Sequence, residues 1–99
     1  MKIRVELPAN LCRLAHVAPL VELEAGEQPT QRSMMEALEA KLPALQGTVR
    51  DHTTQLRRPY LRFFACNEDI SHQDIDQHLP EAVASGNEPL LIVGAVSGG

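Results

Sequence analysis

The chain has 99 residues, 43% hydrophobic and 22% charged, with a formal net charge of -4, which suits one globular domain able to bury its own core. No apolar run approaches the roughly 18 residues of a membrane span, and the opening residues alternate polar and apolar where a signal peptide is continuously apolar, so the cytoplasm is the expected compartment. The acidic balance argues against nucleic acid, as does the confinement of the only aromatics, Tyr60, Phe63 and Phe64, to one predicted strand.

Ile3, Val5 and Leu7 alternate with Lys2, Arg4 and Glu6, the period of a strand with one face on a core, and Pro8 ends it. Asn10 to Pro19 shows no clean periodicity and reads as a loop with no assigned role. Val21 and Leu23 then alternate with Glu22 and Glu24, predicting a second strand. Thr30 is a good N-cap, and Met34, Met35, Leu38 and Leu42 share one helical face before Pro43, predicting the main helix with both methionines in the core. Ala44 to Pro59 reads as a short helix or irregular loop. It carries Arg50, His52, Arg57 and Arg58, which with Arg62 form the only basic cluster and are read as a solvated face.

Tyr60 to Cys66 is expected to be a strand inside the sheet, with Leu61, Phe63 and Ala65 on one face. Asn67-Glu68-Asp69 reads as a turn, Ile70 as the start of a very short return strand, and Asp74 to Leu79 as a single helical turn. Gly86-Asn87 marks the last turn before a terminal strand from Pro89 to Val96, whose continuous apolar run predicts cover on both faces. The two cysteines, Cys12 and Cys66, have no disulfide or zinc spacing and are expected to be reduced. They are also too few for the four ligands of an iron-sulfur cluster. The histidines at 16, 52, 72 and 78 read as solvated surface groups, and no set of residues reads as catalytic.

The resulting order is β, β, α, β, a short β, β. With the first and last strands adjacent at the sheet centre, this predicts an α+β fold. It is the ubiquitin-like β-grasp, a mixed four- to five-stranded sheet with one main helix packed on one face. A domain over residues 1–96 and a flexible tail over 97–99 are expected, with the C-terminus at the sheet edge and Ser97-Gly98-Gly99 projecting.

The ending Ala95-Val96-Ser97-Gly98-Gly99, joined to this order and to the Asn67-Glu68-Asp69-Ile70 turn, resembles the bacterial sulfur-carrier family. That family includes the small subunit of molybdopterin synthase, the thiamine-pathway sulfur carrier and the carrier of a cysteine-synthesis route. Arg57-Arg58 before a strand, the turn and the ending are most similar to the cysteine-route carriers. Departures are Gly94, where relatives often have proline, and Cys66, where many have an aliphatic residue or alanine.

The resemblance implies a chain that is not itself an enzyme and binds no permanent cofactor. An E1-like activating enzyme would use ATP to adenylate the Gly99 carboxylate, and a sulfur donor would convert it to a thiocarboxylate for a sulfur-accepting synthase. The tail of Ser97, Gly98 and Gly99 would enter a narrow channel that side chains at Gly98 or Gly99 would clog, the working state would be a hetero-oligomer, and Phe64, Leu91 and Val93 are candidates for partner docking. Each of those three reads more readily as core. Conjugation to other proteins through Gly99, or service as an interaction module, are the alternatives.

Overall fold

A computed structural model describes residues 2–94. The elements run β1 (Lys2–Glu6), α1 (Ala9–Ala15), β2 (Leu20–Glu24), α2 (Gln31–Lys41), a short 3-10 helix (Pro43–Leu45), β3 (Leu61–Ala65), β4 (Glu68–Asp69), α3 (Glu81–Ala84) and β5 (Leu90–Gly94). The expected extension of the last strand to Val96, the domain boundary after residue 96, and Ser97, Gly98 and Gly99 lie outside the described residues.

The five strands form one mixed sheet in the order β2-β1-β5-β3-β4. β1 pairs antiparallel with β2 and parallel with β5, while β3 pairs antiparallel with β5 and β4. One face carries Ile3, Val5, Val21, Leu23, Leu61, Phe63, Ala65, Leu90 and Ile92, each at most 6% exposed. Alternation in β1, β2, β3 and β5 therefore points the same way, which fixes the register. Met34, Met35 and Leu38 of α2 are fully buried in the same core. That helix starts on a reciprocal cap, in which the Thr30 hydroxyl accepts from the Ser33 N–H and the Ser33 hydroxyl accepts from the Thr30 N–H.

Several local expectations are corrected. The stretch after Pro8 is not a loop but α1, whose Leu11 is 4% exposed. Its start has no side-chain cap and no acidic residue in the first turn, so no local signal announced it. Docking of Leu11 holds a helix too short to persist alone. The β3–β4 turn is Cys66-Asn67, both left-handed at φ 53 and 65, with Glu68–Asp69 as the return strand. Ile70 follows that strand and is fully buried, its N–H donating to the Phe63 carbonyl. Asp74 to Leu79 forms turns held by the Thr30–His78 bridge and the Leu79 N–H to Pro29 bond. Helix forms later, at α3, where Val83 is buried.

Candidate docking face and the exit of the last strand

Because α2 and the core occupy one face of the sheet, the residues between the buried ones point to the other. β5 supplies Leu91 and Val93 there, and β3 supplies Arg62 and Phe64. Register joins them: Phe64 lies opposite Leu91, and Arg62 opposite Val93. Leu91 is in turn opposite Glu6, and Glu6 opposite Leu20. The three residues expected in the core thus form an apolar centre on an open face, with Val93 40% and Leu20 47% exposed. This overturns the reading of β5 as covered on both sides. A continuous apolar run shows that a strand is apolar on both faces, and cannot show whether a second layer covers the far one.

The open face is held rigid at its rim. Arg4 Nε and Nη2 donate to the Gly86 and Asn87 carbonyls, each at 2.9 Å, tying β1 to the turn that feeds β5. Gly86 has φ +85, and a Cβ there would lie 3.2 Å from the Lys2 carbonyl oxygen, so the close approach requires glycine. On the far side, Arg62 Nη1 donates to Asp69 Oδ2 at 3.2 Å and lies 3.1 Å from His72 Nε2. Hydrogen bonds from the Ser71 hydroxyl and N–H, with the charge of Arg62 behind them, hold the Asp69 carboxyl below its ordinary range.

The basic cluster is a solvated face only in part: His52 is exposed and the Arg62 side chain is 40% exposed, but Arg50, Arg57 and Arg58 turn inward to acceptors. Arg50 is 6% exposed and pairs with Glu39 at 2.8 Å. Arg58 donates to the Gly47 carbonyl and to Asp51, and Arg57 donates to the Arg58 and Leu61 carbonyls. These arginines organise an irregular segment that lacks a ladder of its own apart from the Arg50–Arg57 bridge. Two backbone N–H bonds, from Thr54 and Thr53, then Arg58, lower the Asp51 carboxyl in the same segment. Among the described residues, no group of three or more His, Cys, Asp or Glu is placed to hold a metal ion, and no helix is long and apolar enough to cross a membrane. Cys12 and Cys66 are both free thiols.

β5 lies at the centre of the sheet, between β1 and β3. The last strand therefore lies at the sheet centre beside the first, as the sequence predicts, and the expected position of the C-terminus lies outside the described residues. Gly94, opposite Leu61, opens into a cleft of about 500 Å³ that is also lined by Pro8, Ala9, Asn10, Arg13 and Tyr60. The exit thus sits directly beyond Val93 of the open face. α1, which carried no assigned role in sequence, forms one wall of this cleft. Only the position of Arg13 one turn after the helix start, four residues past Ala9, could have hinted at it, and without the helix that spacing meant nothing.

An antiparallel β1–β2 pair, a parallel β1–β5 pair and a helix across one face define the ubiquitin-like β-grasp fold. Solved structures share it over essentially their whole length. SAMP1 from Haloferax volcanii superposes with a TM-score of 0.76 at 19% identity, each chain covered completely. The small archaeal modifier protein 1 from Methanosarcina acetivorans gives 0.71 at 22% identity, over 99% of this chain and 96% of its own. The Amycolatopsis orientalis BexX/CysO complex contains a chain that gives 0.72 at 15% identity, over 97% and 98%. No protein-family model matches this chain, and no curated protein matches it by sequence.

Proposed function

We propose that this chain is a sulfur carrier whose reactive group is the carboxyl of Gly99. The observation that supports the reading is the placement of β5, a central strand whose last described residue, Gly94, lies next to an open apolar face. A C-terminal carboxyl, with a pKa of about 3.3 to 3.7, is ionised at neutral pH and a poor electrophile. In the proposed cycle its oxygen attacks the α-phosphate of ATP in an E1-like partner, pyrophosphate leaves, and a mixed anhydride with AMP remains. Hydrosulfide or an equivalent donor attacks the acyl carbon, the bond to AMP breaks, and a thiocarboxylate results. Its sulfur is then a nucleophile for an acceptor held by a synthase, needing no base from this chain.

The fold supports a division of labour. Five residues follow Gly94 and, fully extended, would reach at most about 18 Å. In this reading the binding energy for a partner comes from the open face, where Phe64, Leu91 and Val93 supply an apolar centre ringed by Glu6, Arg62 and Asp69. The CysO chain of similar fold is found in a complex with BexX, which supports a hetero-oligomeric working state. The receiving pathway would be synthesis of molybdopterin, a thiamine precursor or cysteine.

Two of the structural neighbours are named modifier proteins, which favours a second reading in which the same activated terminus acylates lysines of other proteins. Mass spectrometry of the chain isolated from its host separates the two. One terminal oxygen replaced by sulfur is the carrier's signature, and isopeptide-linked ladders are the modifier's. An additional residue appended after Gly99 should abolish either product; persistence of the host's sulfur-dependent synthesis with such a chain overturns the proposal.

A further inference from the structure

Every lysine and arginine among the described residues donates to an acceptor of the chain except Lys2 and Arg13. Lys2 sits opposite Glu24 on the β1–β2 ladder. Among the described residues, Arg13 alone lines the cleft at Gly94 as an unpaired cation, and no described carboxylate shares that lining. In a chain of net charge -4, this makes the exit a local cationic spot. The neighbouring wall adds an exposed side-chain amide at Asn10 and the flat, 46% exposed ring of Tyr60, whose hydroxyl is already committed to the Thr48 carbonyl.

We propose that this cleft seats a carboxylate side chain of the enzyme that activates the tail, and that Arg13 is the residue that receives it. The inference rests on the carrier or modifier reading above, because it assigns a partner to the strand exit. Charge complementarity selects the occupant. The planar guanidinium takes a carboxylate through two parallel N–H bonds, and Asn10 offers a further donor beside it. Arg4 and Arg62 already donate to acceptors of the chain, so Arg13 is the guanidinium left to receive an acidic partner side chain. The apolar face and Arg13 then both contribute affinity, holding the partner beside the strand end at Gly94. Arg13 is a docking residue and not a catalytic one, since no step of the proposed cycle uses it.

The test is the carrier-concentration dependence of ATP-dependent activation by the host's E1-like enzyme, for the wild type, Arg13→Glu, Arg13→Gln and the control Lys2→Glu. The expected result is a KM raised about tenfold by Arg13→Glu and less by Arg13→Gln, with kcat retained. Raising salt should weaken the wild type but not Arg13→Glu, since an exposed ion pair is screened. Equal KM values for Arg13→Glu and wild type overturn the cleft assignment alone, as does an equal loss in Lys2→Glu, which would mark a diffuse charge effect. A wild-type chain that the enzyme never activates overturns the functional reading and this inference together. Unchanged thermal unfolding of Arg13→Gln separates a docking defect from a folding one.

Discussion

Phe63 and Phe64 are adjacent in β3 and point to opposite faces of the sheet, so truncating each to alanine should have opposite consequences. Phe63 is 0% exposed among Ile3, Met34 and Leu90 in the core, and its loss should cost about 3 to 5 kcal/mol through lost transfer energy and the cavity left behind. For a domain of this size the total stability is of order 5 to 15 kcal/mol, and about 1 kcal/mol moves Tm by roughly 4 to 8 °C. Phe63→Ala should therefore lower Tm by well over 10 °C, with its urea midpoint falling in proportion. Phe64 is half-buried on the open face, opposite Leu91, where a cross-strand pair contributes roughly 0.2 to 1 kcal/mol. Phe64→Ala should keep its fold, with Tm lowered by only a few degrees on the same scale, yet lose most of its binding to the activating enzyme. Urea unfolding followed by far-UV circular dichroism, paired with calorimetric titration of the partner, reads both quantities. Equal destabilisation by the two substitutions would refute the assignment of Phe64 to an open face. A stable Phe64→Ala chain with unaltered partner binding would refute that face as the docking surface.

Glu39→Gln should cost about 3 kcal/mol or more by leaving Arg50 charged and buried, and combining it with Arg50→Met should recover much of the loss, as measured by urea midpoints. Thr30→Ala removes the acceptor of the Ser33 N–H and should lower stability by about 1 kcal/mol, with helix content otherwise retained in circular dichroism. Gly86→Ala meets both a φ of +85 and the Lys2 carbonyl, and should destabilise by at least about 1 kcal/mol in the same assay. Asp51, Asp69 and Asp76 all have carboxyl pKa values lowered in the fold, Asp76 through its hydrogen bonds and charge pairing with Arg32. A depressed pKa gives stability that is complete above the unfolded value of about 3.9 and is lost as pH falls through the folded one. The urea midpoint should hold down to about pH 5 and drop below it, and Asp69→Asn should shrink that drop.

What was readable in sequence depended on how local the cause was. The strands β1, β2 and β3 announce themselves because one buried face imposes period-2 alternation, and α2 because Thr30, the Met34-Met35-Leu38 face and Pro43 agree with one another. α1 and α3 did not, since each begins after a proline without a side-chain cap and is stabilised by a single anchoring residue, Leu11 or Val83, reaching a distant core. The arginines of residues 50–62 looked like a surface patch because charge composition says nothing about carbonyls left over by an irregular backbone, and those carbonyls are what Arg57 and Arg58 satisfy. The open face was half legible: Phe64, Leu91 and Val93 stood out as apolar residues out of phase with the core. Their exposure arises because none of the described elements forms a second layer over that side of the sheet, a property no single segment encodes. The exit cleft was illegible, because it joins Arg13 to Tyr60 and Gly94 across most of the chain.

The central claim is that the carboxyl of Gly99 is the reactive group. The most direct measurement is the intact mass and C-terminal fragment mass of the chain after incubation with ATP, its activating enzyme and a sulfide donor. A reactive Gly99 carboxyl should show a single oxygen-to-sulfur exchange confined to the terminal glycine, abolished when ATP is omitted. An unchanged terminal mass with the active enzyme present, or a modification mapped to any other residue, would contradict it.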